Sequence, residues 1–180
     1  MKKFLVAGMI LFMLAVITLA GNGGATRASA SNTAPDKAAV DVKAPRHCIT
    51  GTQRPLQCFD TEAEALRVGS GGRIQLAPGQ TTASLSNSQL FSVQSTLYAI
   101  LYEHANYGGA TLSIYSDSCS GGNSMPAGWN DVVSSAKTGT CGITLYEHNN
   151  WSGISLHINY PGTTYVGDAM NDKASSWTLP

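Results

Sequence analysis

Charge is scarce in this chain. Only 12% of its 180 residues are Asp, Glu, Lys or Arg. The shortage of basic residues is sharper in the second half. Past Ser95 only Lys137 and Lys173 stand against six carboxylates, Glu103, Asp117, Asp131, Glu147, Asp168 and Asp172. A nucleic-acid partner needs a basic surface, so that half excludes one and suits a cation. No C-x-x-C occurs among the four cysteines, which removes the usual zinc and thioredoxin-like spacings. Ser134 and Ser175 have no His and Asp at motif spacing, so a serine hydrolase finds no support. One long apolar run exists, Phe4 to Ala20. It follows Met1-Lys2-Lys3 and precedes Ala28-Ser29-Ala30, the pattern of a secretory signal peptide with a small-residue cleavage site. A retained anchor is the competing reading, since about 20 apolar residues span a bilayer. The cleavage site favours removal of residues 1–30, and no cysteine lies close behind the run to take a lipid.

An exported chain with an even cysteine count is expected to hold disulfides. Cys48, Cys58, Cys119 and Cys141 allow three pairings. Cys48–Cys58 and Cys119–Cys141 are preferred, because each pair lies within one apparent structural unit. Without its first 30 residues the chain carries 8 basic and 11 acidic residues, a net charge of −3. Residues 31–45 are rich in Ala, Asp, Lys, Pro and Thr and read as a disordered tether. Residues 46–95 form a small extension and linker. Thr61 with Glu64 has capping-box spacing ahead of a helix over Glu62–Val68, and Gly69-Ser70-Gly71-Gly72 ends it. Arg73–Ala77 alternates and is read as a strand. Thr81–Ser95 reads as a linker with at most one edge strand. The extension is too short for a large core of its own, so the Cys48–Cys58 link or docking on the next segment must hold it. A propeptide-like or partner-binding role is the functional alternative to a structural one.

From Thr96 the sequence repeats. Leu97–Tyr102, Ala110–Tyr115, Ile143–Glu147 and Ile154–Ile158 read as strands, Ala110–Tyr115 as half-buried. Asn106-Tyr107-Gly108-Gly109 and Asn150-Trp151-Ser152-Gly153 are turns between them. Tyr102 to Tyr146 spans 44 positions, whereas Asn130 to Asn171 spans 41, so the first unit carries three extra residues. These fall in the Asp117–Asn123 loop. Each unit ends in a six-residue motif, Asn130-Asp131-Val132-Val133-Ser134-Ser135 and Asn171-Asp172-Lys173-Ala174-Ser175-Ser176. Both offer hard oxygen donors of the kind Ca²⁺ takes, and neither offers a thiolate or imidazole. Glu103-His104 and Glu147-His148 occupy equivalent positions. Adjacent strand residues face opposite ways, so each His is expected to cover a turn rather than join a catalytic pair. Trp129, Trp151 and Trp177, with Tyr102, Tyr107 and Tyr146, are expected in the core and corners.

The doubled aromatic-x-x-x-x-aromatic-x-Gly pattern, Tyr102 to Gly109 and Tyr146 to Gly153, with the doubled six-residue motif, resembles the microbial calcium-binding βγ-crystallin family. The resemblance covers residues 96–180 and not 46–95. It implies an all-β fold, two Greek-key motifs forming a β-sandwich, to which the disulfide-linked extension is added. It also implies two calcium sites at one end, each drawing on both motifs. Carried onto this chain, one set is Glu103, Asp131 and Val132 with Ser175. The other is Glu147, Asp172 and Lys173 with Ser134. Val132 and Lys173 would give carbonyl oxygens only. Asn130 and Asn171 are expected to shape the turns through side-chain to backbone bonds, and Ser135 and Ser176 to be structural. Low ligand charge implies affinities of roughly 10⁻⁶ to 10⁻³ M. The expectation is a secreted, extracellular, non-enzymatic calcium-binding protein. Alternatives are a protease inhibitor or toxin-like module using the Asp117–Asn123 loop, or a glycan- or cell-wall-binding module. A protein or glycan partner would follow from those.

Overall fold

The computed structural model describes residues 46–92 and 96–180, and all of them fall in one unit. The expected signal segment and tether lie outside the described residues. Ten strands form two sheets. β1 (His47–Gly51) and β2 (Gln57–Phe59) precede helix α1 (Glu62–Gly69) and the short helix α2 (Asn87–Leu90). The first repeat supplies β3 (Leu97–His104), β4 (Gly108–Tyr115), β5 (Gly121–Ser124) and β6 (Ser135–Thr138). The second supplies β7 (Ile143–His148), β8 (Ser152–Ile158), β9 (Gly162–Thr163) and β10 (Ser176–Leu179).

The sheet order shows how the two repeats interlock. One sheet runs β2-β1-β4-β3-β6-β9 and the other β5-β10-β7-β8. The third strand of each repeat therefore crosses into the sheet of the other: β5 pairs with β10, and β9 with β6. These are two Greek keys closed as one sandwich. Between the sheets lies the main core, with Leu101, Leu112 and Ile114 facing Ile143, Leu145, Ile158 and Trp177.

A second apolar layer covers the opposite face of the first sheet. Ile100, Tyr102 and Tyr115 on that face pack with Leu66 of α1 and with Ile74, Leu85 and Leu90. Leu97–Tyr102 is continuous rather than alternating because β3 is buried on both faces. β8 alternates, Ile154-Ser155-Leu156-His157-Ile158, and is largely exposed. β4 was expected to be half-buried. It is buried from Ala110 to Tyr115, because the extension lies over the face carrying Thr111 and Ser113.

The extension adds two strands to the first sheet. β1 runs parallel to β4, His47 opposite Thr111, and antiparallel to β2, Cys48 opposite Cys58. The Cys48–Cys58 disulfide crosses that pair with Cα atoms 4.0 Å apart, and Cys119–Cys141 joins the long loop of the first repeat to the start of the second. α1 begins as expected: the Thr61 hydroxyl accepts from Glu64 N–H at 3.3 Å, and Gly71 and Gly72 follow the helix at φ +63° and +83°. Two expectations fail. Arg73–Ala77 joins neither sheet among the described residues; Ile74 is buried in the second apolar layer, with its N–H donating to Ser70 Oγ at 2.9 Å. The described part of Thr81–Ser95 is no linker, since it forms a turn at Thr82–Ser84 and α2, and buries Thr82, Leu85 and Leu90.

Candidate metal centre

The two six-residue motifs meet at one end of the sandwich in a reciprocal arrangement. Asp131 N–H donates to the Ala174 carbonyl at 3.1 Å, and Asp172 N–H to the Val133 carbonyl at 3.2 Å. Ser134 N–H donates to Tyr102 O and Ser175 N–H to Tyr146 O, at 2.9 and 2.8 Å. Both aspartates sit in the left-handed region, φ +57° for Asp131 and +54° for Asp172, which Asp tolerates better than most residues. That conformation turns the chain so that each carboxylate faces the opposite motif.

The side chains follow the same crossing. Ser175 Oγ lies 3.3 Å from Asp131 Oδ1, and Ser134 Oγ lies 3.4 Å from Asp172 Oδ1. Ser134 also donates to the Glu103 carbonyl at 2.8 Å. The second oxygen of each aspartate is fixed by its neighbour, Asn130 Nδ2 to Asp131 Oδ2 at 2.7 Å and Asn171 Nδ2 to Asp172 Oδ2 at 2.8 Å. Those asparagines thus orient the carboxylates, whereas backbone bonds were expected of them. The serines are buried and the aspartates exposed, so each cluster opens to solvent on its acidic side.

The glutamates lie elsewhere than the aspartates. Glu103 Oε2 accepts from Ala110 N–H at 3.1 Å, and Glu147 Oε2 from Ile154 N–H at 3.3 Å. Each carboxylate fastens its own hairpin. The Glu103 group that reaches a cluster is its carbonyl, and it falls with Ser134 and Asp172 rather than with Asp131. Val132 packs against the main core, and the Lys173 side chain is exposed.

Ser135 and Ser176 are fully buried hubs of the two turns. Ser135 donates to His104 O at 2.6 Å and accepts from Tyr107 N–H at 3.0 Å. Ser176 does the same for His148 O, at 2.6 Å, and Trp151 N–H, at 3.2 Å. A Cβ on Gly109 or Gly153 would meet His104 or His148 Cδ2 at 2.9 Å, and both glycines have φ near +80°. Each His therefore lies over the turn, and glycine is required beneath it. Tyr102 and Tyr107 pack with ring centroids 5.3 Å apart. Trp151, expected in a corner, is 53% exposed.

The donor set fits a hard cation. Each cluster has one carboxylate oxygen and one hydroxyl, with a carbonyl beside the Ser134 cluster. Among the described residues no three His, Cys, Asp or Glu side chains gather, which leaves no densely charged or softer site. The Asp–Ser separations exceed the 2.7–2.8 Å mode of an O–H···O bond. The two oxygens stand side by side without being tightly bonded to each other.

Lys137 was not singled out in the sequence, although it is the one basic residue between Arg73 and Lys173. It is buried, and its Nζ donates to the carbonyls of Thr82, Ala83 and Leu85 at 2.8, 2.9 and 2.7 Å. It also lies 4.9 Å from the Tyr107 ring centroid. Burial lowers its pKa, opposed by nearby Glu62. Glu62 accepts from the hydroxyl and N–H of Thr82, and Tyr102 O–H donates to the same hydroxyl at 2.8 Å. This network sews the extension to the first sheet.

Two interlocked Greek keys with reciprocal oxygen clusters define the class. A βγ-crystallin domain from Clostridium beijerinckii, a double mutant, is 30% identical over 44% of this chain and 92% of its own, with a TM-score of 0.38. A βγ-crystallin from an archaeon is 25% identical, matching 48% of this chain and 100% of its own, with a TM-score of 0.40. A clostrillin double mutant with two serines changed to histidine, in complex with nickel, is 26% identical over 46% of this chain and 98% of its own, TM-score 0.39. No protein-family model matches the chain, and no curated protein does. Identity across nearly all of the clostridial domain, joined to the doubled motifs, places the chain in the βγ-crystallin family through its C-terminal half.

Proposed function

We propose that this is an exported, non-enzymatic protein that binds two calcium ions, one in each crossed cluster. The observation that carries the reading is the reciprocal approach of Ser175 to Asp131 and of Ser134 to Asp172. A cation held by both motifs ties them together, and metal bound only by the folded form stabilises it by mass action. One ion would take Asp131 and Ser175, with Val132 O. The other would take Asp172 and Ser134, with Lys173 O and the Glu103 carbonyl. The carboxylates of Glu103 and Glu147 serve the hairpins. The signal-peptide pattern supports export, and the acidic balance past Ser95 supports a cation over nucleic acid. Among the described residues no helix is long and apolar enough to cross a membrane.

Calorimetric titration of Ca²⁺ into chelator-stripped protein, with thermal melts alongside, tests the reading. Two binding events and a raised Tm are expected, both lost in Ser134→Arg/Ser175→Arg. At free calcium a hundredfold above Kd, each site adds about 2.7 kcal/mol. Flat titrations with an unchanged melt refute calcium binding. In that event the exposed Asp117–Gly121 loop, tied by Cys119–Cys141, favours the inhibitor reading, tested against a panel of secreted proteases.

A further inference from the structure

The repeats are close copies at the crossed clusters and differ on either side of β9. Where the first repeat has Ser116 and Ser124, the second has Tyr160 and Tyr165. Both tyrosines are exposed, at 52% and 43%, so neither serves the core that the repeats share. They flank a trough of about 380 Å³ floored by Leu156, Ile158 and Val166. No Asp, Glu, Lys or Arg lines it.

The backbone at Tyr160 and the side chain of Tyr165 are held by hydrogen bonds. Gly162 N–H closes a turn onto Asn159 O at 2.8 Å, across the cis Tyr160–Pro161 bond. The Pro161 carbonyl accepts from Thr138 N–H at 3.2 Å and from Asn87 Nδ2 at 2.6 Å, so α2 of the extension supports the loop. A Cβ on Gly162 would lie 2.2 Å from Ala136 O, which shows how closely this strand sits against β6. Tyr165 O–H donates to Asp168 Oδ1 at 2.5 Å, and the Thr163 hydroxyl donates to Tyr165 O at 2.7 Å. The polar rim is ordered as well. His157 sits between Thr144 Oγ1 at 2.8 Å and Asn159 Oδ1 at 3.2 Å. Asn159 Oδ1 faces His157 Nε2 and accepts from it when that nitrogen carries the proton. The Asn159 amide N–H groups then have no partner among the described residues and are left to donate.

We propose that this trough binds a neutral glycan. Two aromatic faces offer apolar area to the C–H faces of pyranose rings, and the Asn159 amide offers bonds to sugar hydroxyls. No cation lines the trough, and the carboxylate beside it, Asp168, is negative, which argues against phosphorylated or sulfated ligands. The volume lies within the ordinary ligand-site range of about 300–1,000 Å³, and the Tyr165 side chain, held by Asp168, loses little entropy on binding. The site stands apart from the calcium reading, since it uses none of the crossed oxygens.

The test is retention of the intact chain on chitin, cellulose and xylan particles, with and without chelator, and with soluble oligomers of each as competitors. Retention on at least one, in either condition, is expected. Tyr160→Ala/Tyr165→Ala should lower it at least tenfold with an unchanged thermal melt. Retention on none of the three overturns the proposal, as does retention that the double variant keeps. A concentration-dependent dimer in sedimentation, lost in the double variant and without glycan retention, also overturns it and assigns the tyrosines to contact between two copies.

Discussion

Replacing Lys137 with Met keeps the buried stem and removes the charge and its three donors. The carbonyls of Thr82 and Leu85 are buried at their bonds to Nζ, while the bond to Ala83 O is partly exposed. Water can replace the donor at Ala83. The Leu85 carbonyl loses its partner, at about 1–3 kcal/mol, whereas the Thr82 carbonyl keeps the Leu85 N–H at 3.3 Å. Lost attraction to Glu62 adds to this, and relief from desolvating the ammonium subtracts. The net expectation is a loss of about 2 kcal/mol, a sizeable fraction of the roughly 5–15 kcal/mol that stabilises a domain. Urea unfolding in chelator, followed by tryptophan fluorescence, measures it. Lys173→Met serves as the control, since that side chain is exposed, and should change stability by less than about 0.5 kcal/mol. A loss below about 1 kcal/mol for Lys137→Met would refute the reasoning. It would mean that the three carbonyls find other donors and that Lys137 does not fasten the extension.

His47 is partly buried and bonded to Thr111 Oγ1 at 3.0 Å, and burial lowers its pKa from the ordinary 6.5 despite Glu62. The unfolded chain therefore takes up a proton first as pH falls below 6.5, so stability should decline there, and His47→Gln should flatten that part of a pH series of urea melts. Gly153→Ala should destabilise by about 1–3 kcal/mol, because φ is +81° and the new Cβ meets His148 Cδ2 at 2.9 Å; a thermal melt within 1 °C of the parent would contradict this. Cys48→Ser/Cys58→Ser should cost about 2–4 kcal/mol in the same urea assay, since the bridge closes a short loop on the outer strand pair.

The parts of the fold readable in the sequence are those with local or repeated signals. Thr61 marks α1, the Gly109 and Gly153 turns recur, and the continuous run in β3 stands out. The motif pair stood out because it is duplicated, and the two copies do come together as crossed Asp–Ser pairs. The remainder depends on distant partners. Nothing local in His47–Gly51 specifies parallel pairing with Thr111–Tyr115. β5 is Gly-Gly-Asn-Ser, a segment of poor strand propensity that pairs because β10 offers an edge. Arg73–Ala77 has the alternation of a strand but joins neither sheet among the described residues, and Ile74 and Ala77 N–H donate instead to Ser70 Oγ and Gln80 Oε1. Lys137 looks like a solvated surface residue until the extension is laid over it. Trp151 occupies the place of Tyr107, which Lys137 covers from the other side; the second repeat has no such cover, and Trp151 is left exposed.

That difference in cover reaches the crossed Asp–Ser clusters. The two clusters match in donor type, but their supports differ. Ser134 immediately precedes β6, and β6 carries Lys137, through which Thr82, Ala83 and Leu85 are fastened. Ser135, between them, bonds the turn whose Tyr107 ring Lys137 overlies. Ser175 precedes β10, where Thr178 stands in place of Lys137 and bonds weakly to Tyr146 O–H at 3.5 Å. The extension thus braces the hydroxyl of one cluster and leaves the other to its own hairpin. Groups fixed before a cation arrives lose less entropy on binding it. An extension that is sequence-distinct from the repeats therefore has a route to unequal sites within an otherwise symmetric pair. Lys137 is the residue through which that route runs.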